Sequence, residues 1–123
     1  MSMAAIVDAT KTALRSAPEQ AQANFEAHHS LVGPCEVTVK VGSGHEFTVD
    51  EPQAFGGGDV AANPAEYALA ALGSCQAITY RVWAAQLGIK LDKVEISIDG
   101  DIDGSAHATA KARMNQGLRS SSA

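Results

Sequence analysis

Apolar and polar positions alternate with a period of two over several short stretches of the chain, then crowd together over one long one. Phe25, Ala27, His29 and Leu31 alternate with Glu26, His28 and Ser30, which predicts a strand with one buried face. Gly33-Pro34 turns the chain. Val37, Val39 and Val41 against Glu36, Thr38 and Lys40 predict a second, half-buried strand. Gly42-Ser43-Gly44 then makes a hairpin loop, and His45, Phe47 and Val49 return with Glu46, Thr48 and Asp50 on the polar side. Three antiparallel strands in sequence follow from this pattern. A fourth is expected further on, where Val94, Ile96 and Ile98 alternate with Glu95, Ser97 and Asp99.

The long stretch runs from Asn63 to Gly88, NPAEYALAALGSCQAITYRVWAAQLG. Asn63 caps a helix, Pro64 fits the first helical position, and Glu66 stands three residues after the cap, where it reaches back to the Asn63 amide. Gly88 ends the helix in a left-handed conformation. Almost every residue between is small or apolar, the pattern of a helix buried on most sides. Gly73 costs about 1 kcal/mol against alanine in a helix interior, so another backbone is expected to pass close to it.

At the start, residues 4–15 predict a short amphipathic helix with Ile6, Ala9, Ala13 and Leu14 toward the protein. Ser16, Pro18 and Glu19 mark a break and a second helical turn. Between Pro52 and Ala62, Gly56-Gly57-Gly58 predicts an irregular loop, and no Gly-Lys-Ser/Thr follows to complete a phosphate cradle. Past Gly104 large apolar residues become rare and the period vanishes. The expected organisation is one domain over residues 1–104 and a loose tail over 105–123.

With 123 residues the chain suffices for one small domain. A net charge of −5 argues against nucleic acid and anionic membrane as partners, which call for basic patches. The long helix could span a bilayer by length, but Glu66, Gln76, Arg81 and Gln86 interrupt it. The N-terminus lacks the basic-then-apolar order of a signal peptide, so a cytoplasmic location is expected. Two cysteines make neither a secreted disulfide scaffold nor a structural zinc site. His28 and His29 fall on opposite faces of one strand, and His45 and His107 lack partners at ligand spacing. Asp99 to Gly104 imitates a calcium loop, but Ala110 stands where a bidentate glutamate is required, so no metal is expected. Tyr67, Tyr80 and Trp83 are read as core or dimer contacts. Cys35 follows a Gly-Pro turn and is read as incidental, and on pattern alone Cys75 is a buried core residue.

Pro64-Ala65-Glu66 followed by Leu69-Ala70-Ala71-Leu72-Gly73-Ser74-Cys75-Gln76-Ala77 resembles the signature of the OsmC-like, organic hydroperoxide resistance family. The agreement takes in Thr48 to Pro52 before it and Leu87 to Asp101 after it, covering roughly residues 4–103. The resemblance implies an α+β fold, an antiparallel sheet packed on a long central helix, in an intertwined homodimer. It also implies thiol-dependent reduction of organic hydroperoxides in oxidative stress defence, a peroxidase activity with Cys75 as the nucleophile. Glu66 is the candidate assisting carboxylate, although it sits about half a turn around a straight helix from Cys75 and is also a helix cap. Arg15 and Arg81 are the candidate assisting arginines. The family continues with further strands, another helix and a second cysteine that resolves the oxidised thiol. This chain has no cysteine after Cys75, so its C-terminal part is expected to be truncated or altered. Turnover then needs an external thiol reductant, or Cys35, and no cofactor. The rival readings are a non-catalytic dimer holding a small apolar ligand beside the same helix, and an inactive truncated remnant.

Overall fold

The computed structural model describes residues 2–105. The expected tail, with His107 and Ala110, lies outside the described residues apart from Ser105. Helix α1 (Met3–Ser16) starts at Ser2, whose hydroxyl accepts the Ala5 N–H at 3.1 Å. Its packed stripe differs from the expected one. Ala4, Val7 and Leu14 are half-buried, whereas Ala9 and Ala13 are exposed and Ile6 is 44% exposed. Seven residues bring a helix back to within about 20° of the same direction, so Val7 shares a face with Leu14 and Ile6 does not. A 3-10 turn, Pro18–Ala21, follows as expected.

Strands β1 (Ala27–Leu31), β2 (Val37–Val41) and β3 (Glu46–Val49) form an antiparallel sheet in the order β1-β2-β3. The register sets His29 beside Val39 and Val39 beside Phe47, with Leu31, Val37 and Val49 in the next such row. Helix α2 (Pro64–Leu87) covers this face with its first turns. The Tyr67 ring lies 5.1 Å from Phe47 and its hydroxyl donates to the Thr48 carbonyl at 2.6 Å. Val39 is consequently 2% exposed. The buried face expected for the first strand is absent: all five residues of β1 are exposed, and Phe25 precedes the strand 90% exposed. A helix about 10 Å across covers roughly two strands at their spacing of about 4.8 Å, and β1 is the third.

The fourth strand is also corrected. Val94, Ile96 and Ile98 are half-buried and alternate with exposed Glu95, Ser97 and Asp99, but among the described residues the segment pairs with no strand. It lies along α2. A Cβ on Gly73 would stand 3.3 Å from Ile98 Cδ1 and 3.8 Å from Ile96 Cγ2, and one on Gly100 would stand 3.4 Å from Leu69 Cδ2. What crosses Gly73 is therefore a pair of isoleucine side chains rather than the backbone that was expected.

Both ends of α2 match expectation. Asn63 Oδ1 accepts the Glu66 N–H at 2.8 Å while Glu66 Oε1 accepts the Asn63 N–H at 3.1 Å, and Gly88 adopts φ +68°. Its burial does not match. Only Ala84 is buried, and Leu72, Ile78, Tyr80, Trp83 and Leu87 are each more than half exposed. One sheet face and α1 are too small to surround a helix of 24 residues. The α1 contact includes a hydrogen bond from Lys11 Nζ to Gln86 Oε1 at 3.1 Å. No helix among the described residues is long and apolar enough to cross a membrane.

Candidate functional site

Cys75 stands twelve residues past the Asn63 cap, roughly 18 Å along the axis, and its thiol is exposed. The buried core position that pattern alone gives it is thereby corrected. At that depth the helix dipole, which acts over the first turn, contributes little to ionising the sulfur. The Cys75 carbonyl accepts the Thr79 hydroxyl at 2.8 Å, whereas its Sγ makes no hydrogen bond among the described residues. On the opposite side of α2, Leu69, Ala70, Gly73, Ser74, Ile96 and Ile98 line an open cleft of about 310 Å³. The lack of a side chain on Gly73 is what lets the isoleucines approach and form the far wall.

Glu66 is not brought to Cys75. Its carboxylate closes the capping box at Asn63, and nine residues of α-helix place it roughly 13 Å away along the axis. Neither Arg15 nor Arg81 forms an ion pair or hydrogen bond among the described residues. Replacing Asn63 by alanine is expected to lower stability by about 1 kcal/mol in urea denaturation. Glu66→Gln keeps an oxygen acceptor for the Asn63 amide, so it should leave both stability and any thiol reactivity of Cys75 nearly unchanged. A large loss of Cys75 reactivity in Glu66→Gln would contradict the assignment of Glu66 as a cap alone.

Sequence reasoning missed Asp50. Placed on the polar side of β3 by alternation, it is instead 1% exposed. Oδ1 accepts the Glu51 N–H at 2.8 Å, and Oδ2 accepts those of Gly58 and Val60 at 3.1 and 3.2 Å. The Glu51 bond, assisted by those of Val60 and Gly58, outweighs the opposing effect of burial and holds the carboxyl below its ordinary value. Asp50 N–H in turn donates to the Ala62 carbonyl at 3.1 Å, so this one residue fixes both ends of the glycine-rich loop leading into α2. An acid followed within ten residues by Gly-Gly-Gly was the available signal, because successive loop amides need an acceptor.

Cys35 is half-buried at the β1–β2 turn, and its Sγ donates to the Phe55 carbonyl at 3.7 Å. With Glu51, Phe55, Asn63, Ala65, Ile102 and Gly104 it lines a cavity of about 590 Å³ against the start of α2. His28 and His29 alternate across β1 as expected, and the described residues contain no cluster of potential metal ligands. Asp99, Asp101 and Asp103 are exposed, with Asp103 Oδ1 accepting the Ser105 N–H and hydroxyl.

The capped helix, the thiol in its middle and the glycine loop before it all fall within one match. Residues 56–122 fit the family model described as OsmC-like protein, more than half of the chain. The chain belongs to the OsmC-like family. A search of curated proteins finds no match. The OsmC-like match takes in Cys75, Glu66 and the segment along α2, begins after β3, and extends beyond Gly104. The family includes peroxiredoxin-type hydroperoxide-resistance proteins.

Proposed function

We propose that this chain reduces organic hydroperoxides in a thiol-dependent reaction of oxidative stress defence, with Cys75 as the peroxidatic nucleophile. The exposed sulfur of Cys75, midway along the central helix of an OsmC-like protein, carries this reading. The thiolate attacks the terminal peroxide oxygen and the O–O bond breaks. An alcohol leaves after taking up a proton, and Cys75 becomes a sulfenic acid. The reductant is a thiol and the setting cytoplasmic. A homodimer is the working form, because it supplies cover for the apolar side chains that α2 exposes.

Peroxide consumption in the presence of dithiothreitol, compared between the wild type and Cys75→Ser, tests the proposal. The variant should fall to the rate of dithiothreitol alone; equal rates would remove the reading. A second reading, a non-catalytic dimer that holds a small apolar ligand, draws support from the Phe55–Ile102 cavity at the start of α2. It predicts ligand binding that is indifferent to Cys75→Ser.

A further inference from the structure

The segment along α2 ends in Asp99-Gly100-Asp101-Ile102-Asp103-Gly104, a pattern that the peroxide chemistry does not use. We propose that Asp99 is a modification site, where the side chain closes on the Gly100 amide nitrogen and reopens as a β-linked isoaspartate, the substrate of protein isoaspartyl methylation. This holds whether or not Cys75 attacks peroxide. Closure needs a carboxyl that nothing holds, a following amide nitrogen outside any hydrogen bond, and no side chain crowding that nitrogen. Asp99 and Asp103 are the aspartates followed by glycine. Glycine leaves the nitrogen open and lets the backbone reach the ring geometry. The other aspartates are blocked. Asp8 lies within α1, and Asp50 is buried in its cage. The amide after Asp59 belongs to Val60 and already donates to Asp50, while β-branched Ile102 crowds the nitrogen after Asp101. Asp92 stands 3.6 Å from Lys90 and precedes a lysine.

The structure separates the two Asp-Gly steps. Asp103 Oδ1 accepts the Ser105 N–H at 2.9 Å and the Ser105 hydroxyl at 2.7 Å. The hydroxyl, and after it the amide, holds this carboxyl below its ordinary value. Closure expels a carboxyl oxygen as water, so a carboxylate kept ionised and pinned reacts slowly. Asp99 is exposed and makes no hydrogen bond or ion pair among the described residues. Gly100 is exposed too, and its N–H donates to no acceptor among the described residues, because the segment joins no ladder there.

In the first step the Gly100 nitrogen bonds to Asp99 Cγ and a Cγ–O bond breaks. The oxygen leaves as water, carrying the carboxyl proton and the amide proton. In the second step a water molecule adds to either carbonyl of the cyclic imide. Opening at the main-chain carbonyl of Asp99 routes the chain through Cβ and Cγ and frees an α-carboxylate, whereas opening at Cγ restores aspartate. One water is lost and one regained, so the net change is an isomerisation. The product carries one additional main-chain carbon between Ile98 and Ile102. Ile98, Gly100 and Ile102 face α2 by period-two alternation, so the insertion puts Ile102 out of step with its place beside Ala65.

The test incubates the full chain for several weeks at neutral pH in heavy-oxygen water, beside Gly100→Ala. Both are then treated with an isoaspartyl methyltransferase and labelled S-adenosylmethionine, and the modified residue is located by electron-transfer fragmentation. Gly100→Ala keeps the fold, because Gly100 has no positive φ and a Cβ would meet the flexible end of Leu69 at 3.4 Å. The wild type should gain heavy oxygen and a methyl group at Asp99, with several-fold less at Asp103. Label at Asp99 should fall about ten-fold or more in Gly100→Ala. In urea, Asp99 and Asp103 should react at similar rates, since the hold of Ser105 is lost. Equal labelling of the two in the folded protein overturns the proposal, as does a folded protein that takes up no label at Asp99.

Discussion

Gly57→Ala is expected to destabilise the protein by about 1–3 kcal/mol or more, a large share of the roughly 5–15 kcal/mol that holds a small domain together. The cause is steric rather than conformational, since Gly57 does not have a positive φ. A Cβ at this position would collide with the Glu51 carbonyl, and would come within 2.8 Å of Asp50 Oδ1. These are backbone and buried carboxylate, which cannot swing aside as a flexible side chain can. Relief requires the loop to leave Asp50, and the amides of Gly58 and Val60 then lose their acceptor. Gly58→Ala is the control, because its nearest contact is 3.3 Å from Asp50 Oδ2 and touches no backbone. Urea denaturation should show a much smaller loss for Gly58→Ala; similar losses for the two would refute the collision.

The same cage has a signature in acid. Asp50 is held below its ordinary carboxyl value, first by the Glu51 amide. As pH falls, the unfolded chain takes up this proton before the folded one does. The contribution of Asp50 is therefore fully present above the unfolded value of about 4, and is lost as pH drops through the lower folded value. Gly57→Ala, with the cage already broken, should show a flatter decline of stability over that acid range than the wild type.

Asp50 also marks where the sequence ceased to be legible. Period-two alternation correctly gave β2 and β3, because both lie under the start of α2, where Val39 is buried. It misassigned Asp50 because a residue at a strand end is no longer governed by the pleat: here the following loop folds back over it. The alternation from Phe25 to Leu31 suggests an inward face that nothing among the described residues covers. Alternation reports that one side of a strand can be buried, and says nothing of where the covering layer comes from. Val94, Ile96 and Ile98 make the same point from the other side, since their apolar face is occupied by α2 while their backbone joins no ladder among the described residues. Capping was readable because it is local, three residues of sequence deciding two hydrogen bonds. The partners of Cys75 were not, since a thiol's neighbours are set by elements distant in sequence.

Trp83→Glu is expected to convert the proposed homodimer into a poorly folded monomer. Leu72, Tyr80, Trp83 and Leu87 fall within about 80° of one another around α2, and all are 51–64% exposed. They form a stripe about 22 Å long, interrupted by exposed Gln76 and Thr79 on the same side, with more apolar surface than isolated exposed side chains require. In a two-fold dimer the stripe of one copy meets the same surface of the other, so each substitution acts twice. Burying one such side chain stabilises by about 1.5–3 kcal/mol, and a charge at position 83 both forfeits that and sets two carboxylates into the same apolar contact. The expected loss thus reaches several kcal/mol per dimer. Phe25→Glu, at an exposed position remote from α2, should leave association intact. Sedimentation equilibrium at micromolar concentration with thermal unfolding on the same samples decides the matter. A wild type that sediments as a cooperatively folding monomer, with Trp83→Glu indistinguishable from it, would show that the stripe needs no partner and that the long helix is stable in water.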